Sequence, residues 1–223
     1  MILAIETSNP VSGRGRPSAG VALVTREGAD RVNPVEIEWL RPTGRHEDDL
    51  VPAIDRVSRR AGIGPGELSR VAVSIGPGGY TGLRVAVTVG SMIAEVAGCA
   101  CVGVPTAEAL IRRVQAEPPV AVCLACKGAS LWTQVFPGTE PGRVMRASEI
   151  EALGVRTIVG DDFLPDSLRA WAAGAGVAIQ PPCYDPVAVA EASLERACTG
   201  PVLPLYAREP EAVTRWRSRG GEV

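Results

Sequence analysis

The sequence is poor in two residue types that functional sites often use. It has a single histidine, His46, and aromatic side chains make up only 4% of its 223 residues. One histidine beside six cysteines leaves a poor set of zinc ligands, so we expect no metal site. Hydrophobic residues nevertheless reach 46%, so a sizeable core must be filled by Val, Ala, Leu and Ile.

The chain also lacks an excess of positive charge, because its formal net charge is −2. A domain that binds nucleic acid by itself is usually basic. If RNA is involved, we expect another subunit to supply most of the contacts to its phosphates.

Long hydrophobic segments are missing as well. The N-terminal run reaches the carboxylate of Glu6 too early for a signal peptide, and no basic region precedes it. The apolar run at residues 85–97 is too short to span a bilayer. We therefore expect a cytoplasmic protein with no membrane partner.

The six cysteines are Cys99, Cys101, Cys123, Cys126, Cys183 and Cys198. Cys123 and Cys126 have the spacing of a redox or zinc pair, but they lie in an apolar run that predicts a buried strand. Positions three apart on a strand face opposite sides, so the two thiols should not converge. We predict ordinary reduced thiols.

The most distinctive segment is a glycine-rich loop at residues 74–84. It follows an apolar run at 70–73 that predicts a buried strand, and it precedes a proline-free run at 85–97 with helical character. The pattern therefore predicts a strand, a tight loop and a helix in succession.

Gly76, Gly78 and Gly79 permit backbone angles that a Cβ would forbid, and Thr81 is a candidate N-cap for the helix. A glycine loop that opens a helix suits an anion, since its N–H groups are unpaired. The loop is neither the Walker form nor GxGxxG. A tight turn without a ligand is the alternative interpretation.

The residue sequence of this region is a more specific signal than its general pattern of strand, loop and helix. Residues 75–84 read Ile-Gly-Pro-Gly-Gly-Tyr-Thr-Gly-Leu-Arg, Gly90 and Ala94 follow, and residues 103–110 read Gly-Val-Pro-Thr-Ala-Glu-Ala-Leu. This pattern resembles the TsaB (YeaZ) family, bacterial partners in making threonylcarbamoyladenosine on tRNA. Members of the family are similar to the sugar-kinase, actin and Hsp70-type ATPases but inactive.

The resemblance implies an α/β fold with two lobes of the actin/Hsp70/sugar-kinase type (ASKHA, RNase H-like), at residues 1–108 and 109–223. Each lobe should open with a β-hairpin, and two strand–loop–strand patterns agree with this: 2–5 with 19–24, and 120–125 with 130–136. Further strands are predicted at 35–40, 101–104, 155–159 and 177–179, and helices at 50–61, 83–97, 107–115, 167–173 and 187–197.

In the ATPases that the family resembles, the first hairpin binds phosphate and carries an acid at its strand end. Glu6, Thr7 and Ser8 occupy that place here and join the glycine loop as candidates for binding a nucleotide or anion. The intervening loop at residues 9–18 is longer than a tight hairpin. A solvated strand end is the alternative interpretation of Glu6.

The helices at 50–61 and 83–97 are the candidate interface with a partner. The second is apolar nearly all round, and small residues recur along one face of it, which would let another helix approach closely. Burial of that face inside the chain is the alternative. The candidate interface residues are His46, Leu50, Ile54, Val57, Leu83, Ala86, Gly90 and Ala94.

The residues expected to catalyse ATP hydrolysis are incomplete. The second hairpin reads Ala125-Cys126-Lys127 where the family usually reads Asp-Ala-Arg, so a carboxylate is missing. The catalytic member of the pathway uses two histidines on one helix, and this chain has only His46.

The resemblance therefore implies a non-catalytic subunit that scaffolds the catalytic paralogue TsaD, with the small ATPase TsaE and tRNA joining through the complex. It also implies ATP or ADP at the complex interface, and a homodimer when the chain is isolated. The alternative is a nucleotide-hydrolysing or glycoprotease-like hydrolase of the same fold. Residues 205–212 resemble the closing Tyr-x-Arg stretch of the family, and the tail with Arg215 and Trp216 either contacts RNA or is a frayed terminus.

Overall fold

The computed structural model describes residues 1–9, 18–41, 49–126, 129–208 and 216. Its strands are β1 (Ile2–Glu6), β2 (Gly20–Glu27), β3 (Arg31–Trp39), β4 (Arg70–Gly76), β5 (Ala100–Pro105), β6 (Val120–Ala125), β7 (Ser130–Phe136), β8 (Arg143–Arg146), β9 (Thr157–Gly160) and β10 (Ala178–Gln180). Its α-helices are α1 (Leu50–Ala61), α2 (Tyr80–Ala97), α3 (Thr106–Ile111), α4 (Ala147–Glu151), α5 (Asp166–Ala175) and α6 (Pro186–Leu194). A short 3₁₀ helix spans Pro65–Glu67.

The strands form two five-stranded sheets with the same order of connection. The first sheet is ordered β3-β2-β1-β4-β5, and the second, read from its other end, is β8-β7-β6-β9-β10. In each sheet the opening strand pairs antiparallel with the next strand and parallel with a later one. The prediction of two α/β lobes, each opening with a hairpin, is confirmed.

The central strand β1 explains why the first lobe has two cores. All five of its residues are buried, as expected for a strand with elements packed on both faces. Leu3 and Ile5 face the core beneath α1 and α2, whereas Ile2 and Ala4 face a second core beneath α6.

Two helices cross between the lobes. Helix α6, which follows the second sheet in the chain, packs its valines and alanines on the first sheet. Helix α3, which follows the first sheet, packs Ala107 and Leu110 against β6. Arg113 ties the two together through ion pairs with Asp185 at 2.6 Å and Glu191 at 2.7 Å. The proposed lobes at 1–108 and 109–223 are thus linked by exchanged helices.

The predicted ends of strands and helices agree closely with the observed ones where a hydrophobic run has clear ends in the sequence. β6, β7 and α1 have the predicted residues, and α1 ends at Gly62, whose φ of 68° is left-handed. β8 and α4 were not predicted, because both are short and two residues in each are exposed.

The predicted N-cap of α2 is wrong. The helix begins at Tyr80 with Gly79 as its N-cap, so Thr81 lies inside the first turn and caps nothing. The backbone N–H of Gly79 donates to the carbonyl oxygen of Ser8, which fixes the start of the helix earlier than the apolar pattern suggests.

Candidate functional site

The structure brings together the two segments that were predicted to bind an anion. β1 and β4 are parallel neighbours, with Ile5 opposite Val73, so their carboxyl ends lie at the same edge of the sheet. Thr7 and Ser8, just past β1, therefore lie beside the glycine loop that follows β4.

These two segments contact each other directly. The N–H of Gly79 donates to the carbonyl oxygen of Ser8 at 2.6 Å, and the hydroxyl of Thr7 donates to the carbonyl oxygen of Gly82 at 3.4 Å. A Cβ at Gly78 would overlap with the Ser8 carbonyl group. Glycine is needed here for close approach of two backbones. Among the predicted loop glycines, only Gly76 has a positive φ, of 107°.

Glu6 is buried, with 1% of its surface exposed, so the interpretation of a solvated strand end is wrong. Its carboxylate accepts a hydrogen bond from the N–H of Ser8 at 2.7 Å. Burial raises the pKa of Glu6, hydrogen bonds from Ser8 and Ser74 lower it in part, and the charge of Asp185 raises it further. The carboxyl group therefore holds the turn after β1.

A cleft of about 470 Å³ separates this loop from the second lobe. One wall is formed by residues 77–80, and the other by Ala125, Cys126 and Arg208. The first turn of α2 borders the cleft with no acidic residue and no side-chain cap, so the partial positive charge of the helix N-terminus faces it.

The C-terminal segment closes one side of the cleft, which sequence reasoning did not foresee. The Leu205 N–H donates to the Ile75 carbonyl oxygen at 2.7 Å, and Tyr206 stacks on Tyr80 with ring centroids 5.0 Å apart. Arg208 donates to the hydroxyl of Ser130 at 2.6 Å, in the second lobe. The Tyr-x-Arg stretch was the one signal for this contact.

The stripe of small residues on α2 does not form an exposed interface. Ala86, Gly90 and Ala94 are buried in the core of the first lobe, and a Cβ at Gly90 would lie 2.5 Å from the side chain of Val73. Small residues are needed because the helix lies close to the sheet of its own chain. Among the other interface candidates, Leu50, Val57 and Leu83 are also buried, Ile54 is half-buried, and His46 lies outside the described residues.

The exposed surface of the two helices lies elsewhere. A groove of about 310 Å³ is lined by Val51, Ile54 and Ile93, and Leu3 of β1 and Leu23 of β2 also line it. Val51 is 57% exposed. This apolar groove, called the helix groove below, has no covering element in the described part of the chain.

Cys123 and Cys126 pack on opposite faces of the second sheet, as their spacing predicted. Within the described ranges, no group of three or more histidine, cysteine or acidic side chains is placed to hold a metal ion. Across the same ranges, no helix combines the length and the apolar character needed to cross a bilayer.

Comparisons with known proteins agree with the resemblance seen in the sequence. Residues 42–149 match the model of a family described as TsaD: tRNA N6-adenosine threonylcarbamoyltransferase. The tRNA threonylcarbamoyladenosine biosynthesis protein TsaB of Bacillus subtilis is 36% identical over 93 residues, which are 42% of this chain and 35% of that protein. The match thus spans about a third of this curated relative.

Two solved structures from Pseudomonas aeruginosa share the fold over nearly the whole chain. One is a protein described as similar to peptidase YEAZ, with a TM-score of 0.65, 19% identity, and coverage of 93% of this chain and 99% of that one. The other is YeaZ, with a TM-score of 0.61, 18% identity, and coverage of 92% and 98%. Sequence motifs, family model, curated relative and fold agree in their likeness to the TsaB/YeaZ and TsaD proteins.

Proposed function

We propose that the chain is a non-catalytic subunit of the complex that makes N6-threonylcarbamoyladenosine at position 37 of tRNA (t6A37), and that it scaffolds a TsaD-like catalytic paralogue. The observation that carries this proposal is the helix groove. The exposed side chain of Val51 and the half-buried Ile54 and Ile93 line it, and exposed apolar patches of this kind usually mark protein interfaces.

The comparisons support a paralogue of the same fold as the occupant. The TsaD family model matches residues 42–149 of this chain, a range that includes both α1 and α2. A paralogue would therefore carry an equivalent helix pair, and two such pairs can interdigitate as a helical bundle. The same surface would form a homodimer when the paralogue is absent.

The remaining partners follow from the same complex. A TsaE-like ATPase would bind the assembled pair, and ATP or ADP would bind at the complex interface. tRNA would bind mainly through other subunits, because a net charge of −2 gives this chain little attraction for phosphates. The tail with Arg215 and Trp216 falls mostly outside the described residues, so its contact with RNA stays a proposal.

The missing carboxylate at Ala125 supports a non-catalytic role. An ATPase needs carboxylates that hold Mg²⁺ and orient water. Ala125 and Cys126 line the cleft at the place where the second hairpin would supply one. The alternative hydrolase, of either the nucleotide-hydrolysing or the glycoprotease-like kind, would need a different set of groups in the cleft.

The test is co-purification of the tagged chain with the TsaD-like paralogue from the same organism. We expect Val51→Glu to abolish capture of the paralogue, because it places a charge in the apolar contact. Phe163→Glu is the matched control: Phe163 is 65% exposed but lies in the second lobe, after β9, and capture should persist.

The outcomes separate the possible occupants. Capture by the wild-type chain that is lost only with Val51→Glu supports the proposal. Equal capture by Val51→Glu and wild type means that the paralogue binds elsewhere. If the wild-type chain only self-associates through this surface and the paralogue never competes, the scaffold role is wrong.

A further inference from the structure

Two cysteines that are far apart in the sequence meet at the edge of the first sheet. Cys101 lies in β5, the last strand in the order of that sheet, and Cys198 follows α6. The thiol of Cys198 donates to the carbonyl oxygen of Cys101 at 3.4 Å, across 97 positions of sequence. Both thiols are free; Cys198 is exposed and Cys101 is half-buried.

The thiols of the two residues are also close enough for one to affect the pKa of the other. Burial raises the pKa of the Cys101 thiol, the Ser91 hydroxyl at 3.9 Å lowers it in part, and the neighbouring Cys198 and Cys99 raise it again. A disulfide requires Cα atoms about 4.4–6.8 Å apart. A direct contact between one thiol and the backbone of the other residue is compatible with that range.

We propose that Cys101 and Cys198 form an oxidative modification site: a low-molecular-weight disulfide converts them into an intramolecular disulfide that tethers the C-terminal segment to β5. Nothing in the proposed scaffold role requires this pair. Its position is set by the packing of the chain after α6 on the first lobe.

The reaction consists of two thiol–disulfide exchanges. The thiolate of exposed Cys198 attacks one sulfur of the small disulfide, forms a mixed disulfide and releases one small thiolate. Cys101 then loses its proton to solvent and attacks the sulfur of Cys198, which closes the protein disulfide and releases the second small thiolate. Two protein thiols are oxidised, and one small disulfide is reduced to two thiols.

The raised pKa of Cys101 slows the closing step at neutral pH, because only the thiolate attacks. Closure should therefore accelerate as pH rises toward that pKa. Within reach of Cys101, the groups that affect its charge are Ser91, Cys99 and Cys198.

The C-terminal segment, residues 202–208, is the part of the chain that the disulfide would restrain. Val202 packs against the same core as Cys101, Leu205 is hydrogen-bonded to Ile75, and Arg208 reaches Ser130 in the second lobe. Anchoring Cys198 to β5 fixes the start of this bridge between the lobes.

The experiment treats the full chain with oxidised glutathione and then blocks the remaining thiols with iodoacetamide before tryptic mass spectrometry. We expect a linked pair of peptides containing Cys101 and Cys198, while Cys183, the other exposed cysteine, remains open to modification. Cys99 and Cys101 share one tryptic peptide, so fragmentation of the linked pair assigns the bond without any variant. Cys183→Ser is the control variant and should give the same linked pair, whereas Cys198→Ser should abolish it.

Hydrogen exchange tests the tether itself. The amide of Leu205 should exchange roughly tenfold more slowly in the oxidised protein than in the reduced one, because the bond suppresses local opening. A bond from Cys198 to Cys99 or Cys183, a mixed disulfide that never closes, or a dimer linked between chains would each overturn the proposed pair. Unchanged exchange at Leu205 would overturn the tether.

Discussion

The carbonyl group of Ser8 lies against Gly78 so closely that no Cβ fits between them. The two residues belong to turns that follow parallel strands of one sheet, and 70 positions of chain separate them. This contact joins the end of β1 to the start of α2, at the candidate anion site.

Gly78→Ala should therefore destabilise the protein. The added methyl group must displace the backbone of Ser8, and overpacking of this kind costs about 1–3 kcal/mol. Urea denaturation at neutral pH would measure the change in the free energy of unfolding. Gly174→Ala is the matched control: nothing lies within 4 Å of its Cβ position in helix α5, so it should stabilise by about 0.5–1 kcal/mol.

Gly90→Ala tests the corrected location of the small-residue stripe. A Cβ would lie 2.5 Å from the side chain of Val73, so we expect a loss of about 1–3 kcal/mol in the free energy of unfolding. The folded fraction should still bind the paralogue, since this face of α2 contacts only its own sheet. Unchanged stability combined with lost binding would place the stripe at an interface after all.

Glu6 gives the stability of the protein a specific dependence on pH. Its folded pKa is raised, so its contribution is fully present below the unfolded pKa of about 4.3 and is lost as pH rises through the folded value. In Glu6→Gln, the free energy of unfolding should therefore fall less than in the wild type as pH rises above the unfolded pKa of about 4.3. Thermal unfolding of both proteins between about pH 5 and pH 8 would measure it, with Glu27→Gln, in the exposed part of β2, as the control for loss of a charge. A steeper decline in the Gln variant would contradict the argument.

Asp49 gives the stability of the protein the opposite dependence on pH. Arg56 donates two hydrogen bonds to it, at 2.8 and 3.0 Å, and the Arg41 N–H donates a third at 2.6 Å. The Arg56 hydrogen bonds, assisted by that of Arg41, lower the pKa of Asp49 although burial opposes them. Its contribution is therefore present above the unfolded pKa of about 3.9 and is lost as pH falls through the lower folded value.

Asp49→Asn should reduce the free energy of unfolding at neutral pH by about 1–3 kcal/mol, since hydrogen bonds to a charged group are lost. The difference from the wild type should shrink in acid. Urea titrations at a series of acidic pH values would follow it, and a difference that stays constant across the series would count against the assignment.

The isolated chain should release phosphate from ATP far more slowly than a typical enzyme, which turns over on the order of 1 per second or faster. The physical reason is the missing carboxylate at Ala125. Steady release at an enzymatic rate that disappears in Glu6→Ala would revive the hydrolase alternative, because loss in the variant excludes a contaminating activity.

Local features of the chain were predictable from the sequence because they depend on neighbours along it. The apolar runs set β6, β7 and α1 at their observed residues, and the period of a strand placed Cys123 and Cys126 on opposite faces. Because β1 and β4 pair in parallel, the two candidate segments that follow them lie at the same edge of the first sheet.

What the sequence by itself determined is which residues share a face, and only the tertiary structure decided what that face contacts. The period of α2 groups Gly90 with Ala86 and Ala94 whether they meet a partner or a sheet, and packing on Val73 made them core. The crossing of α6 to the first sheet likewise brings Cys198 to Cys101. Contacts across such distances arise from burying apolar faces against one another, and a non-directional driving force of this kind leaves no local mark in the sequence.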